Sequence, residues 1–154
     1  MGNLAFDFAT DAETALVAII IPTLNEEDHI EATLDALARQ SLGYCKEIIV
    51  VDGGSSDATC AIVRDYADRD DRVRLIHNAN RLQSSGINLA VSQLDPDTRY
   101  FIRADAHSVY PEDFVEKLLN AAVSSGAQSV VTRLKAEGQT CFQRADGMVS
   151  NSII

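Results

Sequence analysis

Two unbroken apolar runs rich in β-branched residues, Leu16 to Pro22 (LVAIIIP) and the centre of Glu47 to Asp52 (EIIVVD), constrain this chain more than any other feature. A strand with one wet face alternates apolar and polar residues. These runs do not alternate, so each reads as a strand buried on both faces, the condition of a parallel sheet with helices on either side. Between them, Ile30, Leu34, Leu37 and Ala38 recur at helical spacing. Pro22 cannot donate to a ladder and is expected to end the first strand, with Asn25 preceding the acids Glu26, Glu27 and Asp28 at the positive end of the helix.

The pattern repeats along the chain. After Asp52 and the loop Gly53-Gly54-Ser55-Ser56-Asp57, a second helix aligns Ala58, Ile62 and Tyr66. Arg72 to His77 reads as a third strand, and Ser84 to Leu94 as a helix with Ile87, Val91 and Leu94 inward. Tyr100 to Ala104 is a fourth strand. Pro111 opens a helix carrying Phe114, Leu118 and Ala122 on one face, and Ala127 to Leu134 is expected to be a fifth strand. The fold class is therefore α/β, a mostly parallel sheet with helices on both faces, whose ligands sit outside the carboxyl ends of the strands. That rule selects the loops beginning at Pro22, Asp52, Asn78 and Asp105.

Length and composition agree with one domain: 154 residues, 46% of them hydrophobic, can fill a core. We divide the chain into a polar leader (1–14), a ligand-binding half (15–137) and a helical tail (138–154). A net charge of −10 argues against nucleic acid, which is bound by surplus Lys and Arg. A small anion remains compatible if a local Arg or a bound cation neutralises it. Cys45, Cys60 and Cys141 form neither a disulfide framework nor a thiolate zinc site and are expected to be reduced thiols. No apolar run reaches the ~20 residues needed to span a bilayer, and the start lacks a signal-peptide layout, so a cytoplasmic location is expected. The first strand is followed by neither GxGxxG nor GxxxxGK[ST], which disfavours a dinucleotide or P-loop site.

Three motifs in order carry a resemblance: Pro22-Thr23-Leu24-Asn25-Glu26, then Val50-Val51-Asp52-Gly53-Gly54-Ser55-Ser56-Asp57, then Asp105-Ala106-His107 after an apolar strand. Together they resemble family-2 glycosyltransferases of the GT-A fold. The likeness is in particular to bacterial exopolysaccharide transferases of the succinoglycan type, where DxH stands for the usual DxD and where Gln139 to Ala145 (QTCFQRA) has a counterpart.

The resemblance implies an inverting transfer of sugar from a nucleotide-diphospho-sugar, expected to be UDP-linked, to a glycan or lipid-linked acceptor in polysaccharide assembly. It places Pro22, Thr23, Leu24, Glu26 and Asp52 at the nucleoside, with Asp52 accepting from the base. Arg81 matches a base-side or phosphate-side basic position, and Ala104 and Asp105 also fall on the donor. Asp105 and His107 match the metal motif, and an oxygen with an imidazole suits Mn²⁺, while Mg²⁺ prefers oxygen alone. The general base of this family comes from a segment beyond the residues matched, so none is assigned. Membrane contact is not inferable from these residues.

Blander readings stand beside these. Asp52 can simply close a strand and start a Gly-Gly turn. Asp57 suits a helix cap, Glu27, Asp28 and His29 suit the helix dipole, and Glu26 can do the same. His77 has no evident partner and is read as structural. Arg103 is either an ion-pair partner of Asp105 or a ligand contact. A catalytically incomplete nucleotide-sugar-binding module is the alternative function. A nucleotidyltransferase ranks below both, because its first loop is usually Gly-rich and basic. If the tail is helical, Phe142, Met148 and Val149 can form a homo-oligomer contact or pack on their own sheet.

Overall fold

In a computed structural model, which describes residues 17–40 and 45–132, the first apolar run forms β1 (Val17–Thr23) and the second lies in β2 (Cys45–Asp52). The two pair in parallel, Ile19 beside Ile48 and Ile21 beside Val50. β3 (Val73–His77) joins the far side of β2, and β4 (Tyr100–Arg103) the far side of β1. Among the described residues the sheet is wholly parallel, in the order β3-β2-β1-β4. Its helices are α1 (Ile30–Gln40), α2 (Thr59–Ala67), α3 (Gln83–Val91) and α4 (Phe114–Ser125).

Side-chain alternation along β1 and β2 splits the core in two. Val17, Ile19, Ile21, Ile48 and Val50 pack with Ile30, Leu34, Leu37, Val63, Val115 and Leu119, so α1, α2 and α4 cover one face. Ile20, Ile49 and Val51 point the other way, against Ala90 of α3 and the half-buried Ile76, Ile87 and Leu94. Both faces being covered, neither strand needs a polar position. Each fully buried Ile contributes ~1.5–3 kcal/mol of apolar burial.

The structure corrects four expectations. Pro22 does not end β1, which continues through Thr23 in register with Asp52. The last β1–β4 pair is Ile20 with Arg103, and Ala104 N–H still reaches Ile20 O. Beyond that level β4 has left, so Pro22 lies where β1 has become an edge and the missing N–H costs no bond. In α3, Gly86 and Ala90 take the buried positions, Val91 is 39% exposed, and Leu94 lies past the helix end. Small residues are required there because a Cβ on Gly86 would stand 2.9 Å from Val51 Cγ1. In α2 the exposed Ala58 leaves the expected row, Ile62 and Tyr66 keep to the core, and Thr59 and Val63 join them; in α4 Phe114 and Leu118 pack on the core as expected, beside the buried Val115 and Leu119.

The fifth strand is the fourth correction: residues 127–132 form no strand, and Val131 is 89% exposed. They run past β4 across a cleft of about 600 Å³ whose lining includes Tyr100, Ile102 and Phe114. A short apolar run does not by itself separate a strand from an extended connection. The leader (1–14), the tail (138–154) with its expected helix, Cys141 and the 139–145 stretch lie outside the described residues. Among the described residues no helix is long and apolar enough to cross a membrane.

Candidate functional site

The loops after β1 and β2 are laced together by side chains. Asn25, at φ 54°, donates its N–H to Ser55 Oγ (2.8 Å) and accepts from Ser56 N–H through Oδ1 (2.8 Å). Glu26 N–H donates to Thr59 Oγ1 (2.8 Å). Glu27 and Asp57 exchange roles: Glu27 Oε2 accepts from Ala58 N–H, and Asp57 accepts from the N–H of both Glu27 and Thr59. The N-cap position of α2 is Ala58 rather than the expected Asp57, which stands one residue earlier and bonds the Thr59 N–H at the start of α2 and the Glu27 N–H on the approach to α1. These bonds satisfy free N–H groups near two helix starts and fix the two loops against one another.

Asp52 closes β2 and is 3% exposed. Its carboxylate accepts from Gly54 N–H (2.9 Å) and Ser55 N–H (3.0 Å), which is the turn-starting arrangement of the bland reading. Burial pushes its pKa up, but the hydrogen bonds from Ser55 and Gly54 outweigh burial and hold it below the ordinary carboxylate value. An ionised carboxylate offers about four acceptor sites, and the Ser55 hydroxyl and Cys60 thiol also donate to this one. Thr23 turns inward, its hydroxyl donating to Ile21 O and its carbonyl accepting from Gly53 N–H. Leu24, by contrast, is 52% exposed.

Arg81 comes to this loop from β3. Asn78 N–H donates to Asp52 O, and the buried Asn78 side chain bonds Leu82 O and the Ser85 hydroxyl, shaping a turn in which Arg81 adopts φ 59°. The Arg81 guanidinium then lies over Gly54, where a Cβ would meet Nε at 3.3 Å. Gly54, at φ 95°, gives both the turn and this close approach.

On the other side of β1, Asp105 and His107 follow β4. The Tyr110 hydroxyl accepts from Asp105 N–H (2.6 Å) and donates to Asp105 O (3.0 Å), and Thr33 Oγ1 of α1 donates to Ala106 O (2.6 Å). Arg103 donates to Asp105 Oδ1 at 2.9 Å, the ion pair that is one of its two readings. His107 Nδ1 faces Glu26 Oε1 at 2.9 Å. Ala104 is buried, so only its main chain can meet a ligand.

The sequence-predicted residues therefore lie on two sides of β1: Asp52 and Arg81 after β2 and β3, and Asp105 and His107 after β4, where Glu26 meets His107. The strands that carry Asp52 and Asp105 lie two spacings apart, about 10 Å, so one ligand touching both must be extended. Among the described residues no three His, Cys, Asp or Glu side chains cluster as a metal site. Asp105 and His107 give one oxygen and one nitrogen donor, a set that fits Mn²⁺ when a diphosphate supplies further oxygens. Sequence reasoning missed His77, whose Nδ1 is 3.4 Å from Asp52 Oδ2, and the bracing groups Thr33 and Tyr110. The His77 contact follows from the pairing of Asp52 with His77 across β2 and β3, which no local pattern displays.

The sequence profile described as Glycosyl transferase family 2 matches residues 18–149. The succinoglycan biosynthesis protein ExoA of Rhizobium meliloti (strain 1021) is 40% identical over 134 residues, covering 87% of this chain and 41% of that protein. The chain thus spans about two fifths of that relative's length. Among solved structures, glucosyl-3-phosphoglycerate synthase from Mycobacterium tuberculosis, in complex with Mn²⁺ and UDP-glucose, superposes with a TM-score of 0.60 at 20% identity, covering 74% of this chain and 43% of that one. The mannosyltransferase PcManGT from Pyrobaculum calidifontis, in complex with GDP-Man and Mn²⁺, gives a TM-score of 0.59 at 27% identity over 76% of this chain and 35% of that one. The parallel sheet flanked by helices is that of the GT-A nucleotide-sugar transferases. By its sequence profile and its fold, the chain belongs to glycosyl transferase family 2.

Proposed function

We propose that residues 15–137 are the donor-binding half of an inverting glycosyltransferase that moves a sugar from a UDP-sugar to a glycan or lipid-linked acceptor in polysaccharide assembly, at the cytoplasmic face of a membrane. The observation that supports this reading is that Asp52, Arg81, Asp105 and His107 lie at or just beyond the carboxyl ends of β2, β3 and β4, along one edge of a single parallel sheet. Asp52 accepts from the base, a charge-assisted contact worth ~1.5–3 kcal/mol. Arg81 adds positive charge on the base and phosphate side, and Pro22, Thr23 and Leu24 wall the nucleoside. Asp105 and His107 hold Mn²⁺ or Mg²⁺. When bound, the cation supplies Lewis-acid stabilisation of the charge that grows on the leaving diphosphate. The complexes of the similar solved enzymes with Mn²⁺ and UDP-glucose or GDP-Man support this cation.

Calorimetry with UDP and a UDP-sugar, with and without Mn²⁺, tests the proposal on the wild type, Asp105→Ala and His107→Ala. Cation-dependent binding that both variants lose is the expected result. No binding to any nucleotide overturns the proposal. Sugar release from the bound donor separates a transferase from a binding module, and pyrophosphate release from a nucleoside triphosphate identifies a nucleotidyltransferase instead.

A further inference from the structure

Glu26 and His107 are 81 residues apart in sequence, yet Oε1 and Nδ1 face each other at 2.9 Å. Both main chains are independently held. Glu26 donates its N–H to Thr59 Oγ1 and accepts from Ile30 N–H, while the residue before His107 accepts from Thr33 Oγ1 at 2.6 Å. The side-chain contact is therefore built by the fold. The Glu26 side chain is 18% exposed, against 63% for His107, so the carboxylate lies beneath the ring.

A carboxylate only accepts hydrogen bonds, so Nδ1 must be the donor, and the neutral ring keeps its lone pair on Nε2. Histidines that bind metals almost always donate their other ring N–H to a carboxylate, carbonyl or water, which fixes the tautomer and the ring orientation. We infer that Glu26 is a positioning residue for His107: it holds the ring in the Nδ1–H form so that Nε2 is the nitrogen offered to the divalent cation shared with Asp105. The inference rests on the donor-site reading above and moves Glu26 from nucleoside contact to support of a metal ligand.

The test is made on the 154-residue chain, with His107→Ala assigning the His107 signals among its three histidines. Two-bond ¹H–¹⁵N spectra of the metal-free protein report the tautomer, and calorimetry reports UDP affinity with and without Mn²⁺. Wild type is expected to show Nδ1–H. Glu26→Ala is expected to shift His107 toward Nε2–H and to weaken Mn²⁺-dependent binding ~10–100-fold, well beyond any change in metal-free UDP binding. Glu26→Gln, whose amide oxygen still accepts from Nδ1–H, is expected to keep the tautomer and recover most of the affinity. An unchanged tautomer or unchanged Mn²⁺ dependence in Glu26→Ala overturns the inference alone, as does an equal loss of metal-free UDP binding. A wild type that binds no Mn²⁺ with UDP overturns the donor-site reading itself, and this inference with it.

Discussion

His77 and Asp52 end neighbouring parallel strands in register, and the imidazole Nδ1 stands 3.4 Å from a carboxylate that the Gly54 and Ser55 N–H groups already hold. One acid thus shapes the turn and meets the ring that ends the next strand. Burial opposes its ionisation, yet the bonds from Ser55 and Gly54 place its pKa below the ordinary value of 3.8. The unfolded chain consequently takes up this proton first on acidification. The stability Asp52 contributes is complete above the unfolded value and is lost as pH falls through the folded one. Asp52→Asn is expected to cost ~1–3 kcal/mol at neutral pH, because an amide oxygen cannot replace both carboxylate acceptors. Urea unfolding at about pH 7 and about pH 3 checks it: the gap between wild type and variant should narrow at the lower pH. A gap that widens on acidification would contradict the depressed pKa.

Arg81 sits at φ 59°, a conformation that costs a non-glycine residue on the order of 1 kcal/mol. Arg81→Gly should therefore leave the urea midpoint unchanged or raise it, while UDP affinity falls ~10–100-fold with the loss of a charge-assisted contact. Unfolding and calorimetry on the same sample separate the two effects. A variant that unfolds more easily would mean that packing of the guanidinium on Gly54 outweighs the backbone strain.

What could be read from sequence was whatever one segment decides for itself. The apolar runs at 16–22 and 47–52 demand burial on both faces, and a parallel α/β sheet follows with four candidate loops at its carboxyl edge. Asp105 and His107 are visible because their motif is local. Pairings between distant segments were hidden. That Glu26 meets His107 depends on β4 lying beside β1, and that His77 meets Asp52 depends on the β2–β3 register. Helical periodicity also favoured large residues, so it marked Val91 as inward when the tight approach of α3 to β2 puts the small Gly86 and Ala90 at the buried positions.

That tight approach makes Gly86→Ala destabilising despite the better helix propensity of alanine. The new Cβ would stand 2.9 Å from Val51 Cγ1 and 3.0 Å from Asn78 Nδ2. Propensity returns up to ~1 kcal/mol, whereas overpacking costs ~1–3 kcal/mol. A net loss of about 1 kcal/mol is expected in urea unfolding. Because Asn78 shapes the turn that carries Arg81, UDP affinity should fall as well. A stabilised variant would show that α3 can lift from β2 without cost.

Tyr110→Phe isolates the bracing of Asp105 from its chemistry. The hydroxyl bonds both main-chain groups of Asp105, and the ring packs on Phe114 with centroids 4.7 Å apart. Phenylalanine preserves the ring and removes only the oxygen, leaving a half-buried N–H without its partner at a cost of ~1–2 kcal/mol. The Asp105 main chain would then shift, moving the carboxylate proposed to join His107 in holding a cation. Binding of UDP with Mn²⁺ should weaken several-fold, whereas uridine, which has no diphosphate to share the cation, should bind as in wild type. Calorimetry with both ligands reads this difference directly. An equal loss for uridine and for UDP with Mn²⁺ would mean that Tyr110 supports the whole cleft rather than the Asp105 position.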